Sequence, residues 1–326
     1  MRGLLRPIMI PLLRRRPDEV DRAARHFSLL RAEGKELVAS VGRSFLGGYH
    51  AMLGARELGE LSVAGAAIDR HVRPFFFEGA AMGYLPRAYY TRGAAPERAE
   101  AELLALDQRF RYLYYVGLGF WYGFRHKYRP AALEALARHV DPFYFPLCYD
   151  GLGFKIGFFD YPGRPALREV LLRAPADRRP EIYQGFGRAL FFVCMDDEDR
   201  FQREKAATSE AYRSDLESGR SLAFGFTGLR RAERLVPFLA AAADEGELGS
   251  RLLGVTWALT ARELNDPDYF VECLRTLPPA ERELLRALPQ RCREALGRSA
   301  SYREWRMKTK DGVMEAYAAF AEVRRR

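Results

Sequence analysis

The sequence predicts an all-α protein, an α-solenoid of about seven helix–turn–helix repeats with a period near 34 residues, a superhelix of the TPR or HEAT kind. Three observations predict it. The phrase GLGFWYGFRH at Gly117 returns as GLGFKIGFFD at Gly151, 34 residues later. The same glycine recurs along the chain at Gly42, Gly79, Gly117, Gly151, Gly185, Gly219 and Gly254, at steps of 37, 38, 34, 34, 34 and 35 residues. Each glycine is followed two positions later by a small residue, namely Ser44, Ala81, Gly119, Gly153, Gly187, Ser221 or Thr256. A period of this length is one helix–turn–helix unit, which buries its apolar face by stacking on its neighbours.

The elements follow from the local signals in each period. The third residue after the glycine is bulky in every unit: Phe45, Met82, Phe120, Phe154, Arg188, Leu222 and Trp257. Five residues before the glycine stand Pro74, Pro146 and Pro180, with Ser214 in a fourth unit. Proline suits the first helical turn, where its missing N–H leaves nothing unpaired. Ser214-Asp215-Leu216-Glu217 has capping-box spacing and predicts a helix start there. The glycine therefore lies about one and a half turns inside the first helix of each unit. A helical glycine is about 1 kcal/mol less favourable than alanine. Close approach of a neighbouring helix backbone would offset that.

The expected layout is a basic N-terminal segment over 1–30, a helical-repeat domain over 31–300 and a C-terminal helical or loose tail over 301–326. The chain has 326 residues, 48% of them hydrophobic, enough for one large elongated core. Cys148, Cys194, Cys273 and Cys292 form no CxxC pair, which points to the reducing cytoplasm rather than to a disulfide framework or a zinc site. His26, His50, His71, His126 and His139 have no ligand spacing, so neither metal nor cofactor is expected.

The net charge of +9 is carried mostly by arginines interleaved with acids, as on solvated helix faces, so nucleic acid is not an expected partner. Five arginines lie in residues 1–16 among apolar residues interrupted by Pro7 and Pro11. That stretch lacks the apolar run of a signal peptide. It suits contact with a membrane surface, and no run long enough to span a membrane occurs.

Two polar features bear on chemistry. The acidic run Asp196-Asp197-Glu198-Asp199 has the look of a magnesium-diphosphate site of an all-helical isoprenoid enzyme. The second carboxylate motif of such enzymes is missing, and the register puts the run at the start of a second helix, where acids favour the helix dipole. The residue before the glycine is Glu78, Asp150, Gln184 and Ser218 in four units. Equivalent positions of a solenoid form a stripe. With Trp121, Tyr122 and Phe154, and with Lys155 and Arg188 on the same helices, this stripe suggests an aromatic groove with a few polar anchors. The expected ligand-binding set is Glu78, Trp121, Tyr122, Asp150, Phe154, Lys155, Gln184 and Arg188. No catalytic residue is assigned.

The blocks FFFEGAAMGY, DGLGFKIGFF, YQGFGRALFFV and DLESGRSLAFGF resemble, in order and from about Val41 to Gly228, the signature blocks of the UnbL-type proteins, which are encoded beside bacterial enediyne polyketide synthases. Lys155 stands where that family commonly has a histidine, so no role of that histidine carries over. The resemblance implies an accessory protein that binds and helps to mature a linear polyene, together with partner proteins of the pathway. The alternative reading is a TPR-like interaction scaffold without activity of its own. Such a scaffold would carry Asn, Lys and Arg on its concave face, whereas these helices are rich in Phe, Tyr, Leu and Gly.

Overall fold

The computed structural model describes residues 13–16, 18–92 and 96–325, and among these the chain is all-helical, with no strand. It divides into two compact units, 1–201 and 202–326. The first contains α1 (Glu19–Ala24), α2 (Ala32–Gly54), α3 (Gly59–Ala66), α4 (Arg73–Arg87), α5 (Ala99–Asp107), α6 (Arg111–His126), α7 (Pro146–Lys155) and α8 (Arg179–Val193). Helix α9 (Glu198–Ala206) carries the boundary. The second unit holds α10 (Glu210–Gly228), α11 (Leu235–Ala240), α12 (Glu245–Asn265), α13 (Pro267–Leu274), α14 (Pro279–Leu296) and α15 (Tyr302–Arg325).

In the first unit the glycine-bearing helices pack in series: α2 on α4, α4 on α6, α6 on α7 and α7 on α8. Pro74, Pro146 and Pro180 each occupy the first turn of their helix. The glycines account for the close packing. A methyl group on Gly117 would overlap the carbonyl oxygen of Glu78; on Gly151, that of Val116; on Gly185, that of Asp150. In each case the carbonyl belongs to the residue just before the previous glycine. The same relation holds in the second unit, between Gly254 on α12 and the Ser218 carbonyl on α10.

Three local expectations need correction. The first period is shifted by one helical turn. Gly79 meets the carbonyl of Phe45, so the position equivalent to Glu78 and Asp150 is Phe45 rather than Val41. Gly42 instead packs against Val20 of α1. The glycine-led pattern misread the register because α2 carries Gly42, Gly47 and Gly48, and it is Gly48 that meets the Phe76 carbonyl of α4. Ser214 does not start a helix. α10 begins at Glu210, with Ser209 at the N-cap position, and the Ser214 hydroxyl lies 2.8 Å from that of Ser250. Helix-favouring Glu210 and Ala211 carry the helix upstream of the capping-box spacing.

The third difference is in the connections. Two of them, Pro130–Arg138 and Pro165–Arg173, are 3-10 rather than α-helical. Nine residues of 3-10 helix span about 18 Å, against about 14 Å in an α-helix. Helices α4 and α7 run into π-helical turns, Ala88–Arg92 and Ile156–Asp160.

The core of the second unit is assembled from α11 to α15, with Leu252, Val255 and Leu259 of α12 meeting Phe270, Leu285, Leu288 and Val313. Arg262 is almost fully buried there. Its guanidinium donates to the Phe226 carbonyl at 2.7 Å and lies 4.0 Å over the Phe226 ring.

Candidate functional site

Of the four polar stripe residues before the glycines, Glu78, Asp150 and Gln184 converge inside the first unit, while Ser218 lies on α10 of the second. Glu78 on α4, Asp150 on α7, and Gln184 and Arg188 on α8 are all buried. Arg188 donates to Asp150 Oδ1 through Nη1, and to Glu78 Oε1 through Nη2 at 3.4 Å. Gln184 Nε2 donates to Asp150 Oδ2 at 3.1 Å, while its Oε1 is buried without a hydrogen bond. Asp150 and Gln184 occupy equivalent positions in adjacent periods. Arg188 follows Gln184 by four residues and so lies on the same helix face.

One guanidinium thus serves two carboxylates out of water. Burial pushes Glu78 up to about 7, with Arg188 opposing and Asp150 adding to the rise. Burial raises Asp150 as well, against the pull of Arg188 and the Gln184 hydrogen bond. With both acids ionised the cluster would carry a net negative charge in a dry setting. Burial therefore favours the protonated form of the acids in this cluster.

Aromatic rings lead away from this cluster. The Arg188 guanidinium lies 5.1 Å over the ring of Phe154. Phe154 stacks on Phe158 at 5.3 Å and touches Phe120 at 5.2 Å, and Phe120 touches Phe45 at 5.0 Å. Phe192 meets both Phe154 and Phe158 edge-on. Phe45 and Phe154 are half-buried, and the other rings are buried. The ladder runs through α2, α6, α7 and α8, with Phe158 on the π-turn after α7.

Lys155 turns to a different neighbourhood. Its Nζ is 2.5 Å from Asp160 Oδ2, 4.9 Å over the Phe124 ring and 5.8 Å over the Tyr128 ring. Five residues do not align on an α-helix, but the π-turn over Ile156–Asp160 brings positions 155 and 160 to one side. Burial lowers the Lys155 pKa, and the Asp160 carboxylate pulls it back up. Lys127, next to Tyr128, ends α6 in a positive-φ conformation (50°).

Two further expected members are on α6. Trp121 is buried. Tyr122 stacks on His126 at 5.3 Å and hydrogen-bonds Tyr89. Sequence reasoning missed Asp160, whose five-residue spacing from Lys155 matches no regular α-helix, and Phe124 and Tyr128, which come from α6 and the turn after it. It also missed Tyr115 and Tyr149, each two residues before a repeat glycine. Tyr149 donates to Glu134 at 2.9 Å and Tyr115 to Glu100, each partner lying 15 residues upstream. Their recurrence 34 residues apart was the available signal. Tyr115 and Glu100 also line a small cavity with Leu103, Leu104, Tyr114 and Leu118, with room for about one water molecule.

The acidic run is structural. Asp196 Oδ2 accepts from the backbone N–H of Leu30 and Arg31 at 2.8 and 2.9 Å. Asp197 accepts from Arg200 N–H at 2.8 Å, and Glu198 and Asp199 sit in the first turn of α9. Among the described residues no three His, Cys, Asp or Glu side chains are grouped to hold a metal ion, and no helix is long and apolar enough to cross a membrane. Of the basic stretch expected at a membrane surface, residues 1–12 lie outside the described residues. Arg15 is packed over Phe124 at 3.5 Å and pairs with Glu19 at 3.0 Å.

The second unit has its own partly buried network. Lys205 donates to Glu217 at 3.0 Å and to Glu247 at 2.8 Å, and Arg251 pairs with Glu247 at 2.5 Å. Opposite charges are matched there, unlike in the Glu78 cluster.

A family model described as "Protein of unknown function (DUF1702)" matches residues 4–313, nearly the whole chain. No curated protein and no solved structure matches it.

Proposed function

The chain belongs to the DUF1702 family, whose function is unknown, and from the aromatic contacts and the sequence resemblance we propose that it is an accessory protein of enediyne polyketide biosynthesis that binds a linear polyene and helps to mature it. One observation carries the reading: the continuous ring contacts from Phe45 through Phe120 and Phe154 to Phe158, with Arg188 over the Phe154 ring. A flat conjugated chain presents π-faces along its length, and the half-buried rings of Phe45 and Phe154 offer matching surface. The Glu78–Arg188–Asp150 cluster supplies polar anchors beside Phe154, as ligand sites commonly do. The signature blocks that resemble the UnbL-type proteins include Glu78, Asp150, Phe154, Gln184 and Arg188.

The glycine contacts within the first unit support a finer architectural reading, a solenoid of helix–turn–helix units along which such a surface would extend. Other proteins of the pathway would deliver the polyene or act on it. A cytoplasmic place fits the four free cysteines.

The test is a titration of the purified protein with diphenylhexatriene, a linear conjugated hydrocarbon, followed by its absorbance and fluorescence. Saturable binding that is lost in the Phe45→Ala/Phe154→Ala double variant is the expected result. Absence of binding at protein concentrations well above the ligand would overturn the groove and favour the interaction scaffold.

A further inference from the structure

We infer that Lys155 is an imine-forming lysine, and that the polyene it takes ends in a conjugated aldehyde. The inference rests on the proposed polyene binding for the identity of the chain attached to that aldehyde. Its own observations are local. Lys155 sits between Phe154 and the π-turn that carries Phe158, two rings of the ladder, so its amine and the ladder share one element. The Nζ is buried, faced by the rings of Phe124 and Tyr128, and paired with the carboxylate of Asp160. Phe159, half-buried, links the two groups of rings. It touches Phe158 at 4.9 Å and Phe124 at 5.4 Å.

A buried amine beside a carboxylate and aromatic walls has what imine chemistry needs. Desolvation favours the free amine, the nucleophilic form. Arg15 and Lys127 act in the same direction, and Asp160 opposes them. Asp160 takes one proton from the ammonium. The amine lone pair then forms a C–N bond to the carbonyl carbon, and one nitrogen proton moves to the carbonyl oxygen. Asp160 returns its proton to the resulting hydroxyl, which leaves as water. The product is a protonated imine whose counterion is the Asp160 carboxylate. No electron is gained or lost and no cofactor is required. The π-turn explains the pairing. It places a carboxylate five residues from the lysine within salt-bridge reach, as a regular α-helix does not.

The test uses the full chain with all-trans-retinal, a conjugated aldehyde, and follows the absorbance before and after borohydride. A red-shifted band, a mass increase fixed by borohydride, and its location on the peptide containing Lys155 are expected. Mapping the wild-type adduct requires no variant. Lys155→Arg should lose the adduct, and Asp160→Asn should keep it while the band moves to the blue, as the imine loses its counterion and its proton. No adduct, or an adduct spread equally over other lysines in wild type and Lys155→Arg, would overturn the inference. Diphenylhexatriene has no carbonyl and separates the two readings. If it binds while retinal leaves Lys155 unmodified, the imine falls and the groove stands. If retinal is fixed on Lys155 while the hydrocarbon does not bind, the imine stands and the groove falls.

Discussion

Arg188 on α8 reaches Glu78 on α4, 110 residues earlier in the chain, and the two meet at 3.4 Å out of solvent. Asp150 holds the same guanidinium. The arrangement makes folding stability depend on pH in a specific direction. The Glu78 carboxyl is raised from 4.5 to about 7 by burial. Below 4.5 it is protonated in both the folded and the unfolded chain, so this group adds no pH dependence. Between 4.5 and 7 the folded chain binds more protons than the unfolded chain, so stability falls as pH rises. Above 7 the loss is complete, at roughly 3 kcal/mol. Glu78→Gln removes the titration and keeps the shape. Urea melts of both proteins from pH 5 to pH 8 should show the wild type losing stability relative to the variant across that window. Parallel curves would mean that Glu78 does not titrate there.

The glycines make a sharper distinction. Gly185→Ala drives a methyl into the Asp150 carbonyl, a backbone atom held in the neighbouring helix. The helices must separate, and the expected loss is about 3 kcal/mol or more. Gly47 in the interior of α2 has nothing within 4 Å of the same methyl position. There the helical preference for alanine should dominate, and Gly47→Ala should stabilise by up to about 1 kcal/mol. Thermal melts of the two variants should shift in opposite directions. A tolerated Gly185→Ala would contradict the close packing of α7 and α8.

Much of this was legible in the sequence, and the reason is visible in the same residues. The contact of Gly117, Gly151 and Gly185 with the carbonyl before the previous glycine recurs with the period, so the sequence shows the period directly. Glu78, Asp150, Gln184 and Arg188 were readable as one group because equivalent positions of successive helices lie side by side. The first period was misread because one helix carries several glycines, and pattern alone cannot say which one meets a backbone. Lys155 and Asp160 were not readable as a pair. A π-turn inserts an extra residue, and neither the α period nor the strand period predicts it.

Removing the central cation of the cluster should be costly. Arg188→Met leaves Asp150 and Glu78 buried without their counter-charge, and such a loss is about 3–5 kcal/mol. Asp150→Asn in the same chain removes part of the resulting repulsion. The double variant Asp150→Asn/Arg188→Met should therefore be less destabilised than the sum of the two single variants by about 2 kcal/mol. A double-mutant cycle by urea denaturation measures this coupling, and additivity within error would mean that the two side chains do not interact in solution.

The four thiols should react in an order set by burial. Cys148 and Cys292 are fully buried and Cys194 nearly so, while Cys273 on α13 is half-buried. Burial raises the Cys148 thiol well above its ordinary value and pushes Cys292 up to about 11, so neither offers much thiolate at neutral pH. Cys273 is raised too, but hydrogen bonding from Tyr269 and the nearby Arg262 and Arg230 work against the rise. Iodoacetamide applied to the native protein at pH 8 should label Cys273 first, with the other three appearing only once urea unfolds the chain. Peptide mass spectrometry after short exposures gives the order directly. Early labelling of Cys148 would show that the interface of α6 and α7 opens, because its carbonyl is the group that a methyl on Gly119 would overlap.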